Sequence, residues 1–327
     1  MIISRTPLRI TLAGGGTDLP SFYSKHGGFV VSMAINKYIY LTYKQDFFEN
    51  ELKLRYSHIE IVKNSSELKN HRAKEALMLH GINSSCEINS CADLPSNTGL
   101  GSSGSFLVGL LNLIREHKKL NTEPKILAEE ACDIEINRLK EPVGKQDQYI
   151  ASYGGLKTFE IDKNGNVIVN SFNINENTLK ELISNTCIYF LNVKRDASEV
   201  LVDQKNLKGN SEDVLKIIKA QAQQTIQYLI DSDLDSYGRL MDDYWNLKKQ
   251  LSNKISIPIV DEIYEITKKD YNVLGGKIIG AGGGGFLMLY CNKHHTKLDQ
   301  FMQSAGYSRL HFNIDNVGST ILGNFTN

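Results

Sequence analysis

The stretch Asp93-Leu94-Pro95-Ser96-Asn97-Thr98-Gly99-Leu100-Gly101-Ser102-Ser103-Gly104-Ser105-Phe106 constrains the fold more than any other segment of the chain. It runs from a turn-prone acidic residue through glycines and hydroxyls into the apolar segment Phe106 to Ile114, long enough for a buried helix. A glycine-rich loop that opens a helix is an anion site. Free N–H groups of the first turn and the positive end of the helix dipole meet at one spot, and small residues let phosphate oxygens approach the backbone. A nucleotide phosphate is the expected ligand. Gly101 is followed by Ser102 and Ser103 and not by lysine, so the loop is not a Walker A sequence. Charge neutralisation then falls to Mg²⁺ carried with the nucleotide, for which a serine hydroxyl is a suitable ligand. The plainer reading is a flexible turn that caps a helix.

Charge narrows the partners. Lys plus Arg equals Asp plus Glu at 37 each, so no net field draws the chain to nucleic acid or an acidic membrane, and a small-molecule partner is expected. The length of 327 residues favours two domains over one core. The five cysteines (Cys86, Cys91, Cys132, Cys187 and Cys291) are odd in number, scattered, and lack a Cys-x-x-Cys pair. That spacing argues against a disulfide framework or a zinc site and points to a reducing cytoplasm. No charged amino-terminal region leads into a long apolar run, and no segment reaches the length of a membrane span, so neither export nor insertion is expected.

The chain opens with strand-like alternation from Ile2 to Ala13, broken at Ser4-Arg5-Thr6-Pro7, and then collapses into Gly14-Gly15-Gly16-Thr17-Asp18. This is a binding-loop pattern or a hairpin turn in which Asp18 bonds locally. Arg9 faces away from the apolar side of its strand, available to a phosphate or carboxylate or simply solvated. β-rich runs at Phe29 to Ile35, Tyr38 to Tyr43 and Leu52 to Tyr56 predict an early mixed or antiparallel sheet, and Cys86 to Ala92 reads as the strand feeding the loop.

A helix is expected from Thr122-Glu123-Pro124 to Leu139, with Thr122 as its cap. Within it Glu135 falls on the apolar face, four residues after Ala131 and four before Leu139. A buried carboxylate needs a partner, either Mg²⁺ or a nearby arginine. Asp147 begins a short helix, as a functional carboxylate or only a cap. Lys163-Asn164-Gly165 predicts a hairpin turn. The polar region Asn173 to Asn185 predicts a boundary, followed by a strand, two or three helices and further strands, the order of a small α/β sandwich. Gly280 to Gly285 precedes a strand and not a helix, so it is no dinucleotide fingerprint but a place of close backbone approach.

Three glycine-rich loops in this order, with Glu135 and Asp147, resemble the GHMP small-molecule kinase superfamily. The first motif is carried by Arg5-Thr6-Pro7-Leu8-Arg9-Ile10 through Asp18, the nucleotide motif by Pro95 through Gly104 and the third by Gly280 through Gly285. Leu12 through Pro20 and Gly144 through Tyr149 look most like the branch that phosphorylates heptose 7-phosphates, and also like the kinase portion of bacterial fucokinases. The resemblance implies an α/β (α+β) two-domain GHMP kinase fold. Residues 1–180 would form the ATP-binding domain, with a left-handed crossover, and 181–327 a ferredoxin-like carboxy-terminal domain.

It also implies ATP and Mg²⁺ as cofactors and a small-molecule sugar phosphate as substrate. Pro95, Asn97, Thr98, Gly99, Leu100, Gly101, Ser102, Ser103, Gly104 and Ser105 would hold the nucleotide. Ser103 and Glu135 would bind the metal, Asp147 would act as base with Arg9 beside it, and Gly15, Gly16, Thr17, Asp18, Gly283 and Gly284 would contact the substrate. Two departures stand out. Gly14 to Gly16 replaces the Gly-Glu-His of galactokinase and mevalonate kinase, and Gly104 stands where alanine is commonest, a change that should leave the loop intact. Lys194, Arg195 and Arg138 are candidate partners for a distal phosphate on composition alone. A non-catalytic sugar and nucleotide sensor is the alternative from outside the enzymes.

Overall fold

The computed structural model describes residues 1–193 and 211–325. Two sheets organise them. The larger has eight strands: β1 (Ile2–Ala13), β2 (Gly28–Gln45), β3 (Leu52–Arg55), β4 (Ile59–Val62), β5 (Cys86–Ala92), β6 (Leu156–Ile161), β7 (Val167–Ser171) and β12 (Thr320–Asn324). The smaller has four, β8 (Thr186–Phe190), β9 (Val273–Ile278), β10 (Phe286–Cys291) and β11 (Ser308–Leu310), in the order β11-β8-β10-β9. All three pairings in it are antiparallel. With helices between the first and second strands and between the third and fourth, this is the ferredoxin-like order.

The helices are α1 (Pro20–His26), α2 (His71–Leu79), α3 (Ser102–His117), α4 (Pro124–Cys132), α5 (Gln146–Tyr153), α6 (Glu176–Asn185), α7 (Ser211–Ile230), α8 (Leu234–Lys249), α9 (Pro258–Asp270) and α10 (His295–Ser304). The glycine loop does open a helix, and α3 buries Leu107, Val108, Leu110, Leu111, Leu113 and Ile114 against β1 and β2. That contact fixes the loop relative to the first strand.

Several local expectations change. The opening segment is one 12-residue strand, not two. Pro7 lies where the register with β2 shifts, a place where a strand tolerates a residue without an N–H. β2 is likewise one 18-residue strand, pairing along one edge with β6 through Gly28–Met33 and with β5 through Ile39–Gln45. Thr122 does not cap α4, because Glu123 occupies the cap position without a side-chain bond. The helix also does not run regularly to Leu139; it passes into a π-helical turn, Asp133–Arg138, that carries Glu135. The polar region taken as a boundary contains α6. The last strand, β12, returns to pair with β1, so the chain's end crosses back to the larger sheet. The hairpin at Lys163 to Gly165 joins β6 to β7. The five cysteines are unpaired, and among the described residues no helix is long and apolar enough to cross a membrane.

Candidate active site

Arg9 is the junction of the site. β1 delivers it to the cleft, where it is only 5% exposed. Its Nε donates to Asp147 Oδ1 at 2.7 Å and its Nη2 to Asp147 Oδ2 at 2.9 Å, a bidentate pair. Its Nη1 donates to the carbonyl of Gly99, and its backbone N–H to the carbonyl of Leu100. One side chain thus ties the first strand, the phosphate loop and α5 together, and the solvated alternative is excluded. Asp147 is correspondingly no simple cap: its carboxylate meets Arg9.

The loop presents a bare helix start. Gly101 caps α3 in the left-handed region at φ 79° with no side-chain cap bond, which leaves the first-turn N–H groups without one. Asn97, Gly99, Gly101, Ser102 and Ser103 line the cavity. Pro95, Thr98, Leu100, Gly104 and Ser105 do not. Thr98 donates to the Pro95 carbonyl, Ser105 donates to the Pro7 carbonyl at 2.7 Å, and Leu100 is fully buried, so these residues shape the loop from behind. The third glycine loop packs directly on it. A Cβ on Gly99 would lie 2.3 Å from the Ile279 carbonyl oxygen, and one on Gly280 would lie 2.8 Å from Gly99 Cα. α3 and α5 approach closely at Gly104, where a Cβ would sit 2.9 Å from Asp147 Cβ.

On the opposite wall Gly15, Gly16 and Asp18 line the same cavity. Asp18 is 2% exposed and accepts from the N–H groups of Gly16 at 3.2 Å and Gln146 at 3.1 Å. Burial pushes its carboxyl above the usual range, with the Gln146 N–H opposing. Thr17 is buried behind, bonded to the carbonyls of Gly14 and Phe29. Gly283 and Gly284 do not reach the cavity: Gly283 donates to the Ile255 carbonyl and Gly284 packs on Val193. Gly280 and Ala281 line it instead.

Glu135 is 1% exposed and does not line the cavity. Arg72 Nε donates to its Oε1 at 2.6 Å and Gln148 Nε2 to its Oε2 at 2.5 Å. Burial raises its pKa and Arg72 opposes the rise. The arginine-paired alternative is therefore the arrangement present. Ser103 suits a metal arriving with a nucleotide, since it lines the cavity at the start of α3 and its hydroxyl bonds to no described residue. No group of three or more His, Cys, Asp or Glu side chains gathers to hold a metal among the described residues. Arg138 is engaged by Asp133 on a half-exposed surface away from the cavity. Lys194 and Arg195 lie outside the described residues.

Sequence reasoning missed five polar side chains that line the cavity: Thr11, Gln146, Tyr244, Lys248 and Lys277. Gln146 Oε1 accepts from Thr11 at 2.8 Å and Ser32 at 3.1 Å, fixing the turn before Asp147. Only Lys277 left a signal, as a lone charge between Gly276 and Ile278 in an otherwise apolar strand. Lys248 reads in sequence as an ordinary basic residue at a helix end.

A bare helix start beside a carboxylate held by a buried arginine suits phosphoryl transfer to a small molecule. Residues 60–155 match the GHMP kinases N terminal domain and residues 225–304 the GHMP kinases C terminal. The chain belongs to the GHMP kinases and is an ATP-dependent phosphotransferase. It is 28% identical over 321 residues, 94% of each chain, to D-glycero-alpha-D-manno-heptose 7-phosphate kinase of Campylobacter jejuni. It is 25% identical over 328 residues to the L-fucokinase/L-fucose-1-P guanylyltransferase of Bacteroides fragilis, covering 88% of this chain and 34% of that protein. The crystal structure of a D-glycero-D-manno-heptose 1-phosphate kinase from Bacteroides thetaiotaomicron shares the fold, with a TM-score of 0.81 at 22% identity over the whole of both chains.

Proposed function

We propose that this sugar kinase phosphorylates the anomeric hydroxyl of D-glycero-D-manno-heptose 7-phosphate to give the 1,7-bisphosphate, a step toward heptose nucleotides and surface polysaccharide. The observation that carries the reading is the Arg9–Asp147 pair, set between the bare start of α3 and the Asp18 wall of one cavity. The likeness to the Campylobacter jejuni enzyme along nearly the whole chain supports the choice of sugar. The α3 amides from Ser102 onward, with Asn97, Gly99 and Gly101, hold the ATP phosphates. Asp18 accepts sugar hydroxyls, and Asp147 takes the proton of the attacking hydroxyl while Arg9 holds its carboxylate in line. Mg²⁺, when bound with ATP, neutralises charge on the phosphate oxygens. Ser103 would hold it, and Glu135 would join only by giving up its bonds from Arg72 and Gln148. Glu135→Gln is accordingly expected to raise the Mg²⁺ concentration at half-maximal turnover. An unchanged titration assigns Glu135 to the Arg72 pair alone.

The likeness to fucokinases favours a second reading, a fucose or other free-sugar 1-kinase. ADP release with Mg-ATP across heptose 7-phosphate, the heptose without phosphate, fucose and galactose separates the two. Turnover confined to the heptose phosphate upholds the first; turnover of fucose transfers the assignment to the second. Binding of ATP and sugar with no ADP release would make the chain a sensor.

A further inference from the structure

Two lysines that belong to none of the glycine motifs enter the cleft from the carboxy-terminal half. Lys248 comes from the last turn of α8 and Lys277 from β9, and they are 5% and 2% exposed. Among the described residues neither ammonium meets a carboxylate. Lys248 Nζ donates to the Gly280 carbonyl, at the contact between the third glycine loop and the phosphate loop. Lys277 Nζ donates to the Leu12 carbonyl at 3.0 Å and stands 4.4 Å from the centre of the Tyr244 ring, whose hydroxyl adjoins Gly15. The pair therefore runs from the nucleotide side of the cavity to the sugar side.

The charged residues lining this cavity are Arg9, Lys248 and Lys277 against Asp18 and Asp147. Both carboxylates are already satisfied, Asp147 by Arg9 and Asp18 by two backbone N–H groups. With both lysines protonated the lining carries an excess positive charge that no carboxylate among the described residues meets. Burial and the nearby Arg9 push the Lys248 ammonium down to about 7, and burial with Lys248 and Arg9 lowers Lys277 well below the ordinary lysine range. Stability is a poor explanation of such an arrangement, because replacing buried charges with apolar groups of similar volume is often neutral or stabilising. A ligand that brings negative charge into the cavity does explain it.

We propose that Lys248 and Lys277 form a phosphoryl-binding seat facing the α3 cradle. The seat takes either the phosphate that the sugar substrate already carries or the terminal phosphoryl group of ATP. The proposal rests on the kinase reading only in placing both substrates in this cleft.

The test compares ligand pairs that differ by one phosphoryl group: heptose 7-phosphate against the unphosphorylated heptose, and the non-hydrolysable analogue AMP-PNP against ADP. Dissociation constants are measured by calorimetry for the wild type, Lys248→Met and Lys277→Met. Each variant is expected to weaken the phosphorylated member of one pair at least tenfold while leaving its partner within about twofold, and the affected pair identifies the source of the phosphoryl group. Equal changes within both pairs, or none, overturn the proposal. If no heptose binds even the wild type, the sugar assignment fails, and the nucleotide pair still decides the seat. Melting without ligand supplies a second readout. Both Met variants are expected to melt at or above the wild type, and inorganic phosphate at constant ionic strength should raise melting of the wild type only. If a Met variant is unfolded, Lys→Gln at the same position is measured against the same two ligand pairs.

Discussion

Asp147→Asn is expected to lower turnover by about 10²–10⁴-fold, the usual contribution of a general base, while ATP and sugar still bind. The geometry makes this substitution informative. Arg9 donates through Nε and Nη2 to the two carboxylate oxygens at 2.7 and 2.9 Å. An asparagine keeps one acceptor for the guanidinium and turns an amide N–H₂ toward the other donor. Removing one partner of a buried pair typically costs about 3–5 kcal/mol. Asp147 is 23% exposed at its side chain, so solvent screens part of that loss. A moderate drop in melting temperature should accompany the loss of rate. The decisive measurement is single-turnover rate beside nucleotide affinity. Turnover within threefold of wild type would remove Asp147 from the base role, and parallel collapse of ATP binding would make it a structural residue instead.

The second large effect is steric. Gly144 stands before Asp18, and a Cβ there would lie 2.0 Å from Asp18 Oδ2 and 2.3 Å from its Cγ. Asp18 has nowhere to retreat without giving up the Gly16 and Gln146 N–H groups. Its departure would leave buried donors unpaired, at about 1–3 kcal/mol each. Gly144→Ala should therefore weaken sugar binding by about tenfold or more, each tenfold being about 1.4 kcal/mol. ATP affinity should change little, since none of the close contacts of a Gly144 Cβ is with the phosphate loop. The double variant Gly144→Ala with Asp18→Ala relieves the overlap. It should melt no lower than Asp18→Ala alone, a non-additivity expected only of groups in contact. Additive losses in that cycle would place the effect elsewhere in the turn.

What the chain's letters disclosed and what they withheld divide along physical lines. Legible in the residues alone were the features that depend on local stereochemistry: the glycine loop opening α3, the strand that feeds it, the Asn164-Gly165 hairpin, and the run of helices α7 to α9. Each is a matter of backbone freedom and periodicity within a few residues. The order of the glycine motifs also carried the family, because loops that let backbone approach phosphate leave no substitute for glycine. The partners were chosen by long-range packing. Arg9 and Asp147 are 138 positions apart, and Glu135 and Arg72 are 63 apart. Whether a buried carboxylate faces an arginine or a metal depends on which neighbour folding brings within about 3 Å. The same holds for Lys248, unremarkable as a letter, and for Lys277, marked only as a lone charge in an apolar strand. Packing strips their ammonium groups of water and turns them toward one cavity, and desolvation is a property of the assembled interior that no local pattern encodes.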